Sequence, residues 1–167
     1  MTNYICINGK KAELTEEQMK ALGIEIPKAK NPFDRVELSK GYYCITGTGK
    51  VIRAFDLDDV NDRECHNVGN YCTDLSMIEQ RALHETLNRL LWRYSMEHDG
   101  DKIDWSDKTK GKWYIYCTTN DNKWYIDYVC GNCREFGTVF FYNGIIARAA
   151  IEEIIKPFMN AHPEFKF

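Results

Sequence analysis

The chain has 167 residues, enough for one good core or for two small units packed together. It is 44% hydrophobic and 28% charged, which excludes a disordered chain, and its net charge of −3 argues against a general phosphate-binding surface, which needs a basic excess. Aromatic residues make up 13%, with four Trp, ten Tyr and eight Phe, a composition that suits a core or an interface.

Tyr4 to Ile7 reads as a strand, Asn8-Gly9 as a tight turn and Lys11 to Leu14 as the return strand. Thr15, with Gln18 three residues on, opens a helix that Leu22-Gly23 closes. These elements make a small N-terminal hairpin–helix module over 1–28. The segment IPKAKNPF, with Pro27 and Pro32, is an extended connector.

From there the chain repeats itself in outline. GYYCITGTGKVIRAF predicts strands at about 42–46 and 50–55, around Gly47-Thr48-Gly49. A polar acidic stretch, NVGNYCTD and a long helix over about 74–98 follow. KWYIYCTTNDNKWYIDYV predicts two longer strands around Asn120-Asp121-Asn122. CGNCREFGTVFFYN comes next, then a helix from about Asn143 to Lys156 that Pro157 stops. Gly69 and Gly137 occupy matching places, each before a short β-like run and a helix opened by Asp or Asn. The expected fold is therefore α+β. Its strands are mainly antiparallel, in two β-β-β-α-like units (31–104 and 110–167) around a long central helix.

That helix carries two apolar stripes. Leu83, Leu87, Leu90, Leu91 and Tyr94 recur at helical spacing on one side. Ile78, Ala82, Trp92 and Met96 fall nearly opposite, with Glu85 and Arg89 between them, one turn apart and able to pair. A helix lying between two sheets uses both stripes, which makes Trp92 core or core edge. The other reading turns Trp92 toward a partner, with Arg89 and Arg93 beside it as in an interface hot spot.

No catalytic spacing stands out. No Walker loop, GxGxxG, GxSxG or HExxH occurs, and His66, His84, His98 and His162 are scattered. Cys130-Gly-Asn-Cys133 has no second CxxC, and Cys65, His66 and Cys72 are the only candidates to complete a zinc site, so a turn without metal is expected. No cofactor is implied. Seven cysteines at irregular spacing do not read as a disulfide framework, and a reducing cytoplasm is the expected setting. No run approaches a membrane span, and MTNYICINGKK lacks the features of a secretory signal.

Two acidic segments hold the candidate contact residues. The first carries Asp56, Asp58, Asp59, Asp62 and Glu64, without the order of a calcium loop. The second, HDGDKIDWSD, carries Asp99, Asp101, Asp104 and Asp107 with Trp105 among them. Each reads either as a solvated loop or as a surface that competes with phosphates for a basic groove. Strand alternation sets Trp113, Ile115, Trp124 and Ile126 on one face, with Tyr114, Tyr116, Tyr125 and Asp127 on the other. The first is the expected core. The tyrosine face could stack on bases, but Asp127 lies on it, and half-coverage by the second unit's helix is the preferred expectation.

GNYCTDLSMIEQRALHETLNRLLWRYSMEHDGDKIDW resembles a group of small proteins encoded by bacteriophages and prophages of gut bacteria, as do NPFDRVELSKGYYCI before it and GTVFF with AIEEIIKPFMNAHPEF after it. The opening INGKKAELTEEQ is also similar to the start of such proteins. The resemblance carries no catalytic motif. By analogy of context it implies a non-enzymatic anti-defence protein that disables a host nuclease, as type II anti-CRISPR proteins disable Cas9. The two acidic segments would then meet a basic groove on Cas9 or its guide-RNA complex, with Trp92 or Trp105 as anchor and Arg89 and Arg93 beside Trp92. The alternative is a phage accessory protein that binds nucleic acid through Arg81, Arg89, Arg93 and the tyrosines.

Overall fold

Short strands pair into three small antiparallel sheets in the computed structural model, which describes residues 4–7, 10–13, 31–118, 120, 123–131 and 134–166. β1 (Tyr4–Ile7) pairs with β2 (Lys10–Glu13), Tyr4 opposite Glu13. The expected Asn8-Gly9 turn, the helix opened by Thr15, Asp121-Asn122 and Cys133 lie outside the described residues.

The first repeated unit begins with β3 (Gly41–Ile45) and β4 (Val51–Phe55), with Tyr43 opposite Arg53. Tyr42 and Cys44 face one way and pack with Tyr71 and Cys65. Tyr43, Ile45 and Val51 face the other way, against Ile78 and Ala82. Residues 56–64, expected to be an acidic loop, instead lead into a helix, α1 (Val60–Asn67). Asp62 N–H donates to the Asp59 carboxylate at 2.9 Å, and Asp59 N–H donates back to the Asp62 carboxylate at 3.3 Å. This is a reciprocal capping box with Asp in the position usually held by Glu or Gln, which is why the usual signature does not reveal it.

The unit closes with a single-residue third strand. Tyr43 N–H donates to Cys72 O at 2.7 Å, and Cys72 N–H to Tyr43 O at 3.0 Å. The second unit repeats this wiring at greater length. β5 (Lys112–Cys117) pairs with β6 (Trp124–Val129) and, on its other side, with β7 (Phe140–Phe141), where Trp113 meets Phe141. In both units the third segment returns to the first strand of the hairpin, two residues before a helix N-cap. Cys72 and Phe141, at the equivalent positions, are both fully buried. Gly69 and Gly137, ahead of these segments, have φ of 71° and 81°, a region that side chains with a Cβ adopt at a cost.

Asp74 caps α2 (Leu75–Glu97) by accepting from Met77 N–H at 3.1 Å. Asn143 caps α3 (Gly144–Ala150) by accepting from Ile145 and Ile146 N–H, each at 2.9 Å. Pro157 does not stop the last helix. The chain widens into a π turn over Ile151–Ile155, in which Lys156 N–H reaches Ile151 O, and continues as α4 (Lys156–Ala161). Pro157 thereby sits in the first turn of α4, where a missing N–H costs little.

α2 lies between the units and uses both stripes, but not along its whole length. Leu87 packs with Ile151, Ile155, Phe158 and Phe165, while Tyr94 packs with Phe141, Ala147 and Ala150. Leu83 and Leu90, expected to be buried, are half-buried against the same cluster. Ser95 Oγ donates to Phe140 O at 2.5 Å and ties the helix to β7. On the opposite side Ile78 and Ala82 lie under the β3–β4 hairpin. That hairpin turns at Gly47, whose carbonyl meets Arg89 Nη1 at 3.5 Å, so its cover ends there.

Trp92, one turn further on, is 60% exposed, which corrects the expectation of a core position. Trp92→Ala should therefore change the unfolding free energy by less than about 0.5 kcal/mol in urea denaturation. A loss above about 2 kcal/mol would return Trp92 to the core.

Candidate functional site

The first acidic segment folds inward. Asp56 is 1% exposed and Asp62 is 5% exposed. Arg35 donates to both Asp56 oxygens, Nε to Oδ2 and Nη2 to Oδ1, each at 2.7 Å, and Tyr71 OH donates to Oδ2 at 3.0 Å. Asp58 N–H adds a bond to Oδ1 at 2.9 Å. Asp62 accepts from Tyr42 OH at 2.8 Å and from Leu57 N–H at 2.7 Å. The Tyr42 and Tyr71 rings stack at 3.9 Å between these carboxylates. The Arg35 guanidinium holds Asp56 down at about 2. Burial raises Asp62, and its hydrogen bonds outweigh that effect to leave it below the ordinary value.

Asp56 and Asp62 therefore cannot meet a partner. Both are consumed inside the fold, because two aspartates so close to Arg35, Tyr42 and Tyr71 find their partners there. Asp58 is exposed, but it pairs with Arg35 at 2.8 Å, and Asp59 is the helix cap. Only Glu64 of that segment stands on the surface outside this network. The arginines beside Trp92 are likewise engaged, Arg89 with Glu85 at 3.2 Å and Arg93 with Glu97 at 3.8 Å. Glu85 also binds Arg81 at 2.9 Å, so it bridges two arginines.

The second unit presents a different surface. Trp113, Ile115, Trp124 and Ile126 face the helices, as expected from alternation. The tyrosine face was expected to be half-covered by the unit's helix, but that helix packs on the opposite side of the sheet. A row of rings runs across the tyrosine face instead. Tyr125 stacks with Tyr116 at 5.8 Å, Tyr116 lies 6.1 Å from Tyr114, and Tyr114 lies 6.0 Å from Phe140. Trp105 meets Phe140 edge-on at 5.1 Å, and the Arg134 guanidinium lies 4.0 Å over the Trp105 ring. The second acidic loop thus joins the sheet through Trp105.

This face carries carboxylates, with the cations Lys123, two residues before Tyr125, and Arg134 at its margins. Asp127 stands opposite Tyr114 across the strands and is exposed. Burial, then the charges of Asp127 and Glu135, push the Tyr114 phenol up. Asp101 and Asp104 are exposed on the Trp105 loop, while Asp99 pairs with Lys102 at 2.5 Å. Lys112, which sequence reasoning passed over, is buried and donates its Nζ to Asp107 O, pinning the loop to the start of β5. An inward lysine next to Gly111 offers no distinctive pattern to read. Tyr116 and Tyr125 retain 39% and 38% exposure, enough to offer ring surface to a partner.

Other features carry less chemistry. A cleft of about 780 Å³ lies between the β3–β4 hairpin, α2 and the C-terminal tail, lined by Lys50, Glu79, His162, Glu164 and Lys166 with apolar residues between. A groove of about 560 Å³ between β6 and α3 is lined mainly by Trp113, Ile126, Ile145 and Ala149. Among the described residues, no three His, Cys, Asp or Glu side chains gather as a metal-holding group. Cys72 Sγ points to Asp74 O at 3.4 Å, and Cys130 Sγ to Thr109 O at 3.9 Å. The hydroxyl of Ser76 donates to the Asp74 cap, that of Ser106 to the Asp104 carboxylate and that of Ser95 to a backbone carbonyl. No described helix is long and apolar enough to cross a membrane.

Fold and face define an α+β protein of two wired-alike β-β-β-α units that share one helix, with a tyrosine surface bearing Asp127 on the second. No family model, curated protein or solved structure matches the chain.

Proposed function

We propose that this protein acts by binding and without chemistry of its own, as an anti-defence protein that occupies a host nuclease, most directly Cas9, in the bacterial cytoplasm. The observation that carries the reading is the tyrosine face, where Tyr114, Tyr116 and Tyr125 share one sheet surface with Asp127, beside the loop of Asp101, Asp104 and Trp105. A nuclease channel built for phosphates is rich in Lys and Arg, and carboxylates with aromatic rings complement it. The phage resemblance supplies the biological context.

Nucleic acid as the direct partner has one observation in its favour, the stacked Tyr116–Tyr125 pair, since aromatic rows on a sheet can stack on bases. Asp127 and Glu135 oppose it, because they repel phosphates at the same surface.

Cas9 loaded with guide RNA should lose cleavage of a matched target as folded protein is added, reaching near-complete inhibition at modest molar excess. The chain alone should not retard a DNA band at physiological salt. Full cleavage at large excess across several Cas9 orthologues would remove the Cas9 assignment, and a salt-sensitive DNA shift without Cas9 would favour the nucleic-acid reading.

A further inference from the structure

We infer that the tyrosine face recognises arginine, so that its partner is a protein segment carrying guanidinium groups and not merely any basic surface. This rests on the binding reading above and names the chemistry of its partner.

Three observations lead to it. First, Tyr114, Tyr116 and Tyr125 form a row along adjacent strands, with centroids about one ring apart at 6.1 and 5.8 Å. A planar guanidinium is weakly hydrated and lies flat on such rings, whereas an ammonium is compact and holds its water. Second, Asp127 sits directly opposite Tyr114 in the register, and Glu135 is close enough to act on the same phenol. A carboxylate at the edge of an aromatic ring lets one guanidinium stack and donate charge-assisted hydrogen bonds to that carboxylate at once. Third, the surface already binds one such group. Arg134 lies 4.0 Å over Trp105, at the end of the same row. The intramolecular pair is a sample of the contact that the exposed part of the row offers to another chain.

A nucleic acid partner fits less well. Bases would stack on the rings, but their phosphates would pass Asp127 and Glu135 with Arg134 already committed. A lysine-rich partner would satisfy the carboxylates but gain less from the ring faces, because an ammonium holds its water.

The test is calorimetry on the full chain with three probes, nona-arginine, nona-lysine and a nine-nucleotide deoxythymidine oligomer. Nona-arginine should bind at least fivefold more tightly than nona-lysine, and the oligomer should not bind at matched salt. Tyr116→Leu keeps the apolar bulk and removes the π face, and should weaken nona-arginine about threefold to fivefold while leaving nona-lysine unchanged. Asp127→Asn should weaken both peptides. Glu64→Lys, outside the face, should alter neither, and circular dichroism should match wild type for every variant. Equal affinity for the two peptides, or an unchanged arginine affinity in Tyr116→Leu, would overturn the inference, as would oligomer binding that exceeds peptide binding. The Cas9 assay stands apart. Arginine selectivity without Cas9 inhibition would sink the nuclease reading alone, and inhibition without arginine selectivity would sink this inference alone.

Discussion

Phe141→Ala is expected to lower the unfolding free energy by about 4 kcal/mol, as read from the urea midpoint. Phe141 is fully buried and sits at the join of the second unit, paired with Trp113 and packed with Tyr94, Ala147 and Ala150. Its neighbours come from α2, α3 and β5, elements that cannot close together on the space left behind, so a cavity term adds to the lost transfer energy. Phe136→Ala provides the contrast, since that ring lies in open solvent and its removal should change stability by less than about 0.5 kcal/mol. A loss below about 1.5 kcal/mol for Phe141→Ala would mean that β7 is not the keystone of the unit.

Asp56→Ala should cost about 3 kcal/mol, nearly as much, although it removes a charge from a surface-type sequence. The carboxylate accepts from Arg35 twice, from Tyr71 and from Asp58, so its loss leaves a phenol and an amide without their acceptor and a guanidinium with only Asp58. The same bonds make stability depend on pH. Arg35 holds the Asp56 carboxyl at about 2, against an ordinary value of 3.8. As pH falls, the unfolded chain takes up this proton first. The stabilisation, roughly 2 kcal/mol, is complete above about pH 5 and is lost as pH drops through about 2. Asp62, also held below its ordinary value, adds to the loss in the same direction. Urea midpoints measured between pH 5 and pH 2 should fall for wild type and stay flatter for Asp56→Ala. Parallel curves would contradict the assignment of this carboxylate.

Much of the fold was legible because it rests on local signals. Asp74 before an apolar periodic run marks the start of α2, and Gly47-Thr48-Gly49 between β-rich segments marks the first hairpin of the repeated part. The matching Gly69 and Gly137 pointed to a duplication that becomes visible only as wiring, with Cys72 and Phe141 returning to the first strand of each hairpin. What sequence could not supply was three-dimensional coverage. Trp92 lies on a stripe that begins buried at Ile78, and nothing in the helix says that the hairpin above it ends at Gly47. The inward turn of the first acidic segment was hidden for the same reason. Asp56 and Asp62 look like solvated acids until Arg35, Tyr42 and Tyr71 close over them from more than nine residues away. The tyrosine face was legible as a face, since strand alternation defines it, but not as an open one. Which side the helices take depends on the order β6-β5-β7 and on how the crossovers lie, and neither is encoded locally.

We propose the tyrosine face, and not the first acidic segment, as the contact surface. The most direct measurement compares two charge reversals in the Cas9 cleavage assay, Asp101→Lys with Asp127→Lys against Glu64→Lys, each variant checked for the wild-type dichroism spectrum. All three residues are exposed, so reversal should leave the fold intact. The Asp101/Asp127 variant should lose at least tenfold in inhibitory potency while Glu64→Lys inhibits like wild type. Inhibition retained by the first and lost by the second would place the contact on the first unit and rule out the tyrosine face.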